Sequence, residues 1–191
     1  LPQANYQDSL RFAMNGFDNL LGHVARQRGD MARTEHILLI EDNPADARLI
    51  KEMLSEPIFA QASLTHAERL SHAIQLLDNK EIDPDIILTD LNLPDSVGID
   101  TVQRIASLDL QAPTVVLSGN QDHELVLQTL RHGAQDYLLK EHIHAGVLDR
   151  VIEFALERQH LKLTLKNYAR QLEENERRFR LIYDTNSNGM F

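Results

Sequence analysis

The sequence predicts an α/β fold, built on a doubly wound five-stranded parallel sheet with a long C-terminal helix. Short apolar runs of the kind found in buried parallel strands alternate with helical segments over residues 36–158. Right-handed crossovers between such strands favour the order 2-1-3-4-5. After residue 158 the apolar spacing continues without a turn signal, so the last helix is expected to leave the sheet domain.

Each predicted element has a local signal. The run from Ile37 to Ile40 is a short apolar strand, and Pro44 suits the first turn of the helix that follows. Asp83 and Pro84 make a turn into the third strand. We expect strands near 37–40, 60–65, 86–88, 114–117 and 136–139, helices near 44–54, 68–79, 98–108 and 124–132, and a last helix from about residue 144.

The last helix carries a heptad pattern that predicts a coiled coil over residues 159–182. A parallel homodimer through this helix is expected, with a polar core residue that fixes register and strand number. A single amphipathic helix packed on its own domain remains the alternative. The core positions are Leu161, Leu165, Tyr168, Leu172, Asn175, Phe179 and Ile182.

Composition narrows the class of protein. Hydrophobic residues make up 42% of the 191 residues, and the net charge is −10. Residues 1–149 hold 11 basic and 23 acidic side chains, so direct nucleic-acid binding by this acidic region is not expected. There is no cysteine, and no apolar run approaches the roughly 20 residues of a membrane helix. We expect a soluble, cytoplasmic protein, in which residues 1–35 form an N-terminal extension with a weak helical pattern.

Chemically active residues follow four of the predicted strands. Glu41 and Asp42 follow the first strand, Asp90 the third, Ser118 the fourth and Lys140 the fifth. The carboxyl ends of parallel strands share one edge of the sheet, and ligands bind there. Three carboxylates that converge repel one another unless a cation lies among them, and an all-oxygen site suits Mg²⁺.

The residues around these positions form a known pattern. The segments are ILLIEDNPADARLI, IILTDLNLPDSVG, VVLSGN and DYLLK, in that order along the chain. The chain resembles the receiver domains of two-component response regulators over about residues 36–158, and the fold implied is flavodoxin-like. The resemblance implies a phosphorelay signalling domain and a sensor histidine kinase or phosphotransfer protein as partner.

The resemblance also implies a role for each acidic residue. Asp90 is the nucleophile that becomes an aspartyl phosphate. Asp42, helped by Glu41, holds Mg²⁺, and the backbone carbonyl of Asn92 completes the metal site. A carboxylate is a competent nucleophile when cations shield it from an anionic donor, so the chemistry agrees with the resemblance.

The remaining site residues follow the same pattern with one departure. The resemblance implies that Lys140 pairs with a phosphoryl oxygen, that Ser118 hydrogen-bonds another, and that Tyr137 is the aromatic switch residue. Such domains usually have proline after the lysine, often with a cis peptide. Glu141 stands there, which predicts a trans peptide, a looser turn and another acid near the pocket.

The segment after the predicted coiled coil resembles the first residues of a PAS sensor domain. It reads ENERRFRLIYDTNSNGMF, and the predicted PAS start covers residues 176–191. Chains built in this way often continue into an output that makes or degrades cyclic di-GMP, or into a histidine kinase. We expect residues 1–191 to have no enzymatic activity other than the phosphorylation and dephosphorylation of the receiver itself.

Two other functions compete with a phosphorylated receiver. An aspartate-nucleophile phosphatase of the haloacid-dehalogenase type needs its nucleophile after the first strand and a second aspartate two residues on. Here the nucleophile candidate follows the third strand, and Asn92 occupies the second position. A pseudo-receiver, which binds partners without taking phosphate, stays open because Glu141 departs from the pattern.

Overall fold

The computed structural model describes residues 35–119 and 123–187, with side chains over 35–119 and 124–177. The predicted N-terminal extension lies almost wholly outside these residues. The strands are β1 His36–Ile40, β2 Ser63–Ala67, β3 Ile86–Asp90, β4 Thr114–Ser118 and β5 Asp136–Leu139. The helices are α1 Pro44–Met53, α2 Leu70–Asp78, α3 Ile99–Ala106, α4 His123–Arg131 and α5 Ala145–Ser187.

The five strands form one parallel sheet in the order β2-β1-β3-β4-β5. This confirms the predicted doubly wound fold. Between β3 and α3 lies a small antiparallel hairpin of Asn92–Leu93 and Ser96–Val97. A 3₁₀ turn over Lys140–His142 connects β5 to α5.

The alternation of side chains along β1 divides the core into two layers. Ile37 and Leu39 pack with residues of α1 and α5, such as Ile50 and Leu148. Leu38 and Ile40 belong to the opposite layer, which contains buried residues of α2 and α3. Because successive side chains of a strand point to opposite faces, an unbroken apolar strand needs helices on both sides. All of these β1 side chains are fully buried.

The second strand begins later than predicted. The sequence analysis placed it near 60–65, whereas β2 is Ser63–Ala67. Pro57 starts a 3₁₀ turn over Pro57–Phe59 that buries Phe59, and residues 60–61 complete the turn. Proline fixes the backbone angle that such a turn requires, so the chain bends before it becomes extended. The other elements agree with the predictions to within two residues at each end.

The last helix is continuous, as predicted, over Ala145–Ser187. Its first part buries Ala145, Leu148, Ile152 and Ala155 against the sheet. Its predicted heptad positions Leu161, Leu165, Tyr168 and Leu172 are 53%, 69%, 63% and 70% exposed. Within the described residues, no helix has the length and apolar character needed to cross a membrane.

Candidate functional site

Strand register brings the predicted site residues to one edge of the sheet. Asp90 ends β3 and lies opposite Leu117 of β4, so Ser118 lies one residue further along the same edge. Glu41 directly follows β1, and Lys140 directly follows β5. The parallel arrangement therefore collects groups that are far apart in the sequence.

The ammonium group of Lys140 lies at the centre of the site. Its Nζ is 2.7 Å from Oε2 of Glu41, 2.8 Å from Oδ2 of Asp46 and 2.9 Å from Oδ2 of Asp90. The side chain is only 17% exposed. Burial by itself lowers the pKa of Lys140, but the carboxylates of Asp46, Glu41 and Asp90 outweigh it and raise the pKa well above its usual range. Lys140 is therefore charged at any physiological pH.

Asp90 is held by contacts to both of its carboxylate oxygens. Oδ1 accepts a hydrogen bond from the backbone N–H of Leu91 at 2.6 Å, and Oδ2 accepts one from Lys140 at 2.9 Å. The residue is 6% exposed. These bonds orient the carboxylate at the end of β3, at the edge where ligands approach such sheets.

Glu41 is a fully buried acid. Burial raises its pKa, the nearby Lys140 ammonium opposes that shift, and the Asp90 carboxylate adds to it. Oε1 accepts a hydrogen bond from the Asn43 N–H at 3.2 Å. Oε2 touches the Lys140 ammonium as an ion pair, yet it has no partner in hydrogen-bond geometry. The His66 ring nitrogen Nε2 lies 2.8 Å from the Glu41 backbone carbonyl.

Three carboxylates at this edge have the arrangement of a cation site. One oxygen each from Glu41, Asp42 and Asp90 lies within 4.8 Å of the others. Carboxylate oxygens are the ligands that hard divalent cations prefer, and a cation would also satisfy the buried Oε2 of Glu41. The residues present therefore fit Mg²⁺. Asn92 lies two residues beyond Asp90 in the hairpin, with its side chain exposed.

The model of the response regulator receiver domain family matches residues 37–152. The chain belongs to this family. A cell cycle transcriptional regulator CtrA of Caulobacter vibrioides is 36% identical over 104 residues, which is 54% of this chain and 43% of that protein. The probable C4-dicarboxylate response regulator DctR of Bacillus subtilis is 31% identical over 148 residues, or 76% of this chain and 59% of that protein.

Solved structures show the same relationship. The receiver domain of a putative LuxO repressor protein from Vibrio parahaemolyticus is 26% identical with a TM-score of 0.60, covering 70% of this chain and 98% of that one. A response regulator Rcp1 in its Mn²⁺-bound form is 28% identical with a TM-score of 0.52, covering 62% of this chain and 88% of that one. This chain spans less than two thirds of the length of the curated relatives described above.

The two residues expected to act as the receiver's switch lie on neighbouring strands. Ser118 is fully buried at the end of β4. Tyr137 on β5 is half-buried and packs against a small cluster of Leu91, Val102 and Val116. Its ring is therefore neither fully inside nor fully outside the domain.

The sequence analysis expected Glu141 to add an acid near the pocket, but Glu141 lies outside the acid cluster. The peptide bond between Lys140 and Glu141 is trans, as predicted, since no cis bond occurs in the described residues. The Glu141 side chain is 53% exposed and its carboxylate is 3.7 Å from the His142 ring. It is not a member of the described group of potential metal ligands. The acid cluster thus contains Glu41, Asp42 and Asp90 without it.

Two acidic residues of the receiver were missed in the sequence. Asp46 contacts Lys140, although it precedes that lysine by 94 residues. Asp95 accepts hydrogen bonds from the backbone N–H groups of Leu70 at 3.0 Å and Ser71 at 2.8 Å, and so caps α2 from the loop after β3. Burial opposes ionisation of Asp95, but the hydrogen bonds from Ser71 and Leu70 outweigh it and lower its pKa.

Proposed function

We propose that this receiver domain takes a phosphoryl group on Asp90 in a Mg²⁺-dependent reaction, as part of a two-component or phosphorelay pathway. One observation carries the proposal. The Asp90 carboxylate is within hydrogen-bond distance of the Lys140 ammonium and shares a cation-sized cluster with Glu41 and Asp42. Phosphoryl transfer needs a positioned nucleophile and concentrated positive charge, and this edge can provide both.

The donor is a phosphohistidine of a sensor histidine kinase or a phosphotransfer protein. An Asp90 carboxylate oxygen forms a bond to phosphorus while the P–N bond to the imidazole breaks. The electron pair of that bond stays on the imidazole nitrogen, which takes a proton from water. Lys140 donates to one phosphoryl oxygen and the Ser118 hydroxyl donates to another, so the added negative charge is matched by donors.

The side chains of Glu41, Asp42 and Asp90 and the backbone carbonyl of Asn92 are the residues that would hold the Mg²⁺. When bound, this ion neutralises phosphoryl oxygens that would otherwise be repelled by the carboxylates. The Mn²⁺-bound form of the relative Rcp1 supports a divalent cation in a domain of this family.

Ser118 and Tyr137 form the switch in this proposal. A phosphoryl group on Asp90 draws the Ser118 hydroxyl towards it, because the hydroxyl is the donor at the end of the adjacent strand. The half-buried Tyr137 ring then turns inwards into the space that Ser118 leaves. That rotation changes the surface formed by α4, β5 and α5, which is a two-state element biased by a local charge.

The output is reached through α5. We assign residues 36–158 to the receiver, 159–182 to a coiled-coil signalling helix and 176–191 to the start of a PAS domain, with 1–35 as an extension. Support comes from the continuous helix and from the heptad side chains exposed along it. A second copy of the chain, parallel to the first, covers these side chains, and the output of the whole protein is either an enzyme of cyclic di-GMP turnover or a histidine kinase.

The test uses beryllium fluoride, a phosphoryl analogue, with and without Mg²⁺. We expect binding to the wild type only with Mg²⁺, and none to Asp90→Asn, measured by NMR chemical-shift changes. The matched control is Asp78→Asn, an exposed aspartate at the end of α2 that lies outside the acid cluster. Binding that persists in Asp90→Asn would overturn the assignment. If the wild type binds nothing with Mg²⁺ present, the pseudo-receiver is the better description.

A further inference from the structure

Asp46 reaches the site from the first turn of α1. Asn43 caps this helix by accepting a hydrogen bond from the Ala45 N–H at 2.9 Å, and Pro44 occupies the first turn. The cap fixes the start of the helix beside the end of β1. This local structure places Asp46 Oδ2 at 2.8 Å from Lys140 Nζ.

In this structure three carboxylates surround the Lys140 ammonium. It donates hydrogen bonds to Asp46 and Asp90 and forms an ion pair with Glu41. An ammonium has three N–H donors, of which Asp46 and Asp90 take two, while Glu41 Oε2 lies 2.7 Å away as an ion pair. For Lys140 to move onto a phosphoryl oxygen, its contact with at least one of these carboxylates must weaken.

The three carboxylates differ in how easily they can be released. Glu41 is completely buried, and its Oε2 would be left as an unpaired charge inside the protein. Asp90 is itself the residue that is phosphorylated. The Asp46 side chain is 34% exposed, so water can solvate the oxygen that Lys140 leaves. Asp46 is therefore the partner with the smallest penalty for release.

We propose that Asp46 is a positioning residue, which holds the Lys140 ammonium in the unphosphorylated receiver and yields it to the phosphoryl group. This inference rests on the proposed function of Asp90. Asp46 then competes with the phosphoryl oxygens for the same donor. It also places a fourth carboxylate, beside those of Glu41, Asp42 and Asp90, at a site that must admit an anion. Both effects oppose phosphorylation, so Asp46 sets how readily the domain is activated.

The test compares two ligands of opposite charge in Asp46→Asn. We expect beryllium fluoride, at saturating Mg²⁺, to bind Asp46→Asn about fivefold more tightly than the wild type, because the competing carboxylate is gone; this is about 1 kcal/mol in binding free energy. Mg²⁺ alone is expected to bind equally or up to about threefold more weakly, because a carboxylate has been removed. A purely structural role for Asp46 would weaken the binding of both ligands.

Two further variants complete the design. Asp46→Glu keeps the negative charge, and its affinity for beryllium fluoride is expected to be close to that of the wild type. Glu52→Gln removes a carboxylate from the same helix, where Glu52 pairs with Arg48 on the surface, and is expected to change neither affinity. Asp46→Ser serves as a second neutral variant if Asp46→Asn folds poorly in a thermal melt.

The outcomes separate the two proposals. If beryllium fluoride does not bind the wild type, the proposed phosphorylation of Asp90 is itself wrong. If beryllium fluoride binds the wild type but binds Asp46→Asn equally or more weakly, the proposed role of Asp46 is wrong. The role of Asp90 then stays in place.

Discussion

The two parts of α5 have similar apolar spacing and opposite surroundings. In the first part, Leu148 and Ile152 are almost completely buried against the sheet. In the second part, Leu165 and Leu172 are 69% and 70% exposed. Both pairs are spaced as one face of a helix requires. Apolar periodicity thus predicts that a face will be covered, but it does not say whether the cover belongs to the same chain.

The exposed apolar row on the second part of α5 has the character of a contact surface. Single exposed leucines are common on protein surfaces, whereas a row of large apolar side chains on one helix face is unusual. The first part of α5 is stabilised by its own domain. The second part is exposed among the described residues, and we propose that a second copy of the chain covers it.

The largest expected effect tests the difference directly. Leu148→Ala is expected to lower the free energy of unfolding by about 3 kcal/mol, because it leaves a cavity in a fully buried layer. Leu165→Ala, the matched change on the exposed part, is expected to lower it by less than about 0.5 kcal/mol in dilute monomer. Urea denaturation at low protein concentration measures both. Equal losses would contradict the comparison.

Association is the property that Leu165 is expected to control. Leu165→Asp places a charge at a core position of the proposed coiled coil, and we expect dimerisation to weaken by at least about tenfold, or 1.4 kcal/mol. Analytical ultracentrifugation at tens of micromolar measures this. The control is a chain that ends at Arg158, which is expected to be monomeric. A wild type that is itself monomeric, or a dimer that survives this truncation, would rule out the helix as the dimer contact.

Asn175 tests the proposed coiled coil through a change that is expected to strengthen association. Asn175→Leu is expected to strengthen association, because an apolar residue replaces a polar one at a core position. The same change is expected to allow trimers or tetramers, since the lone asparagine selects two strands. Sedimentation equilibrium distinguishes these species. A variant with unchanged affinity and stoichiometry would place Asn175 outside the contact.

A fall in pH is expected to lower the stability of the receiver domain through Asp95. Its pKa is lowered in the folded state, so its stabilising contribution is present above the unfolded pKa and is lost as pH falls through the folded value. Asp95→Ala is expected to cost about 1 kcal/mol at pH 7, as for other lost helix caps. The penalty should shrink in urea melts below about pH 4. A penalty independent of pH would refute the capping role.

The smallest effect is expected at the boundary between the two parts of α5. Arg158 pairs with Asp136, and Asp136 also accepts from the Tyr137 backbone N–H. Both side chains of the pair are partly exposed, so Arg158→Ala is expected to cost at most about 0.5 kcal/mol in thermal melts. Gln159→Ala removes the neighbouring bond to the Gln111 carbonyl and provides a comparison. A loss above about 2 kcal/mol would show that this joint is more than a surface contact.

The sheet order and most of the site were predictable because strand ends are local features of a sequence. Glu41, Asp90 and Lys140 each follow an apolar run, and parallel strands must bring such positions together. Asp46 was missed because it belongs to a helix rather than to a strand end. Its position one turn after the acid pair was the available signal, because a capped first turn lies beside the strand that precedes it.

Asp95 and the start of β2 were missed for another reason. The cap of α2 comes from a residue 25 positions away, and no local pattern around Leu70 or Ser71 indicates it. The turn that starts at Pro57 and buries Phe59 continues through residues 60–61, so β2 begins only at Ser63, although apolar alternation suggested a strand from residue 60. In both cases residues outside the predicted element decided the local structure.

Arg158 and Gln159 tie α5 to the domain through Asp136 and the Gln111 carbonyl. Residues 160–187 continue for about 40 Å at a rise of 1.5 Å per residue. A tilt of about 10° at the tied end would carry the far end sideways by roughly 7 Å over that length. A helix of this length would act as a lever arm, which turns a small tilt near Arg158 into a displacement of its far end by about the length of a side chain.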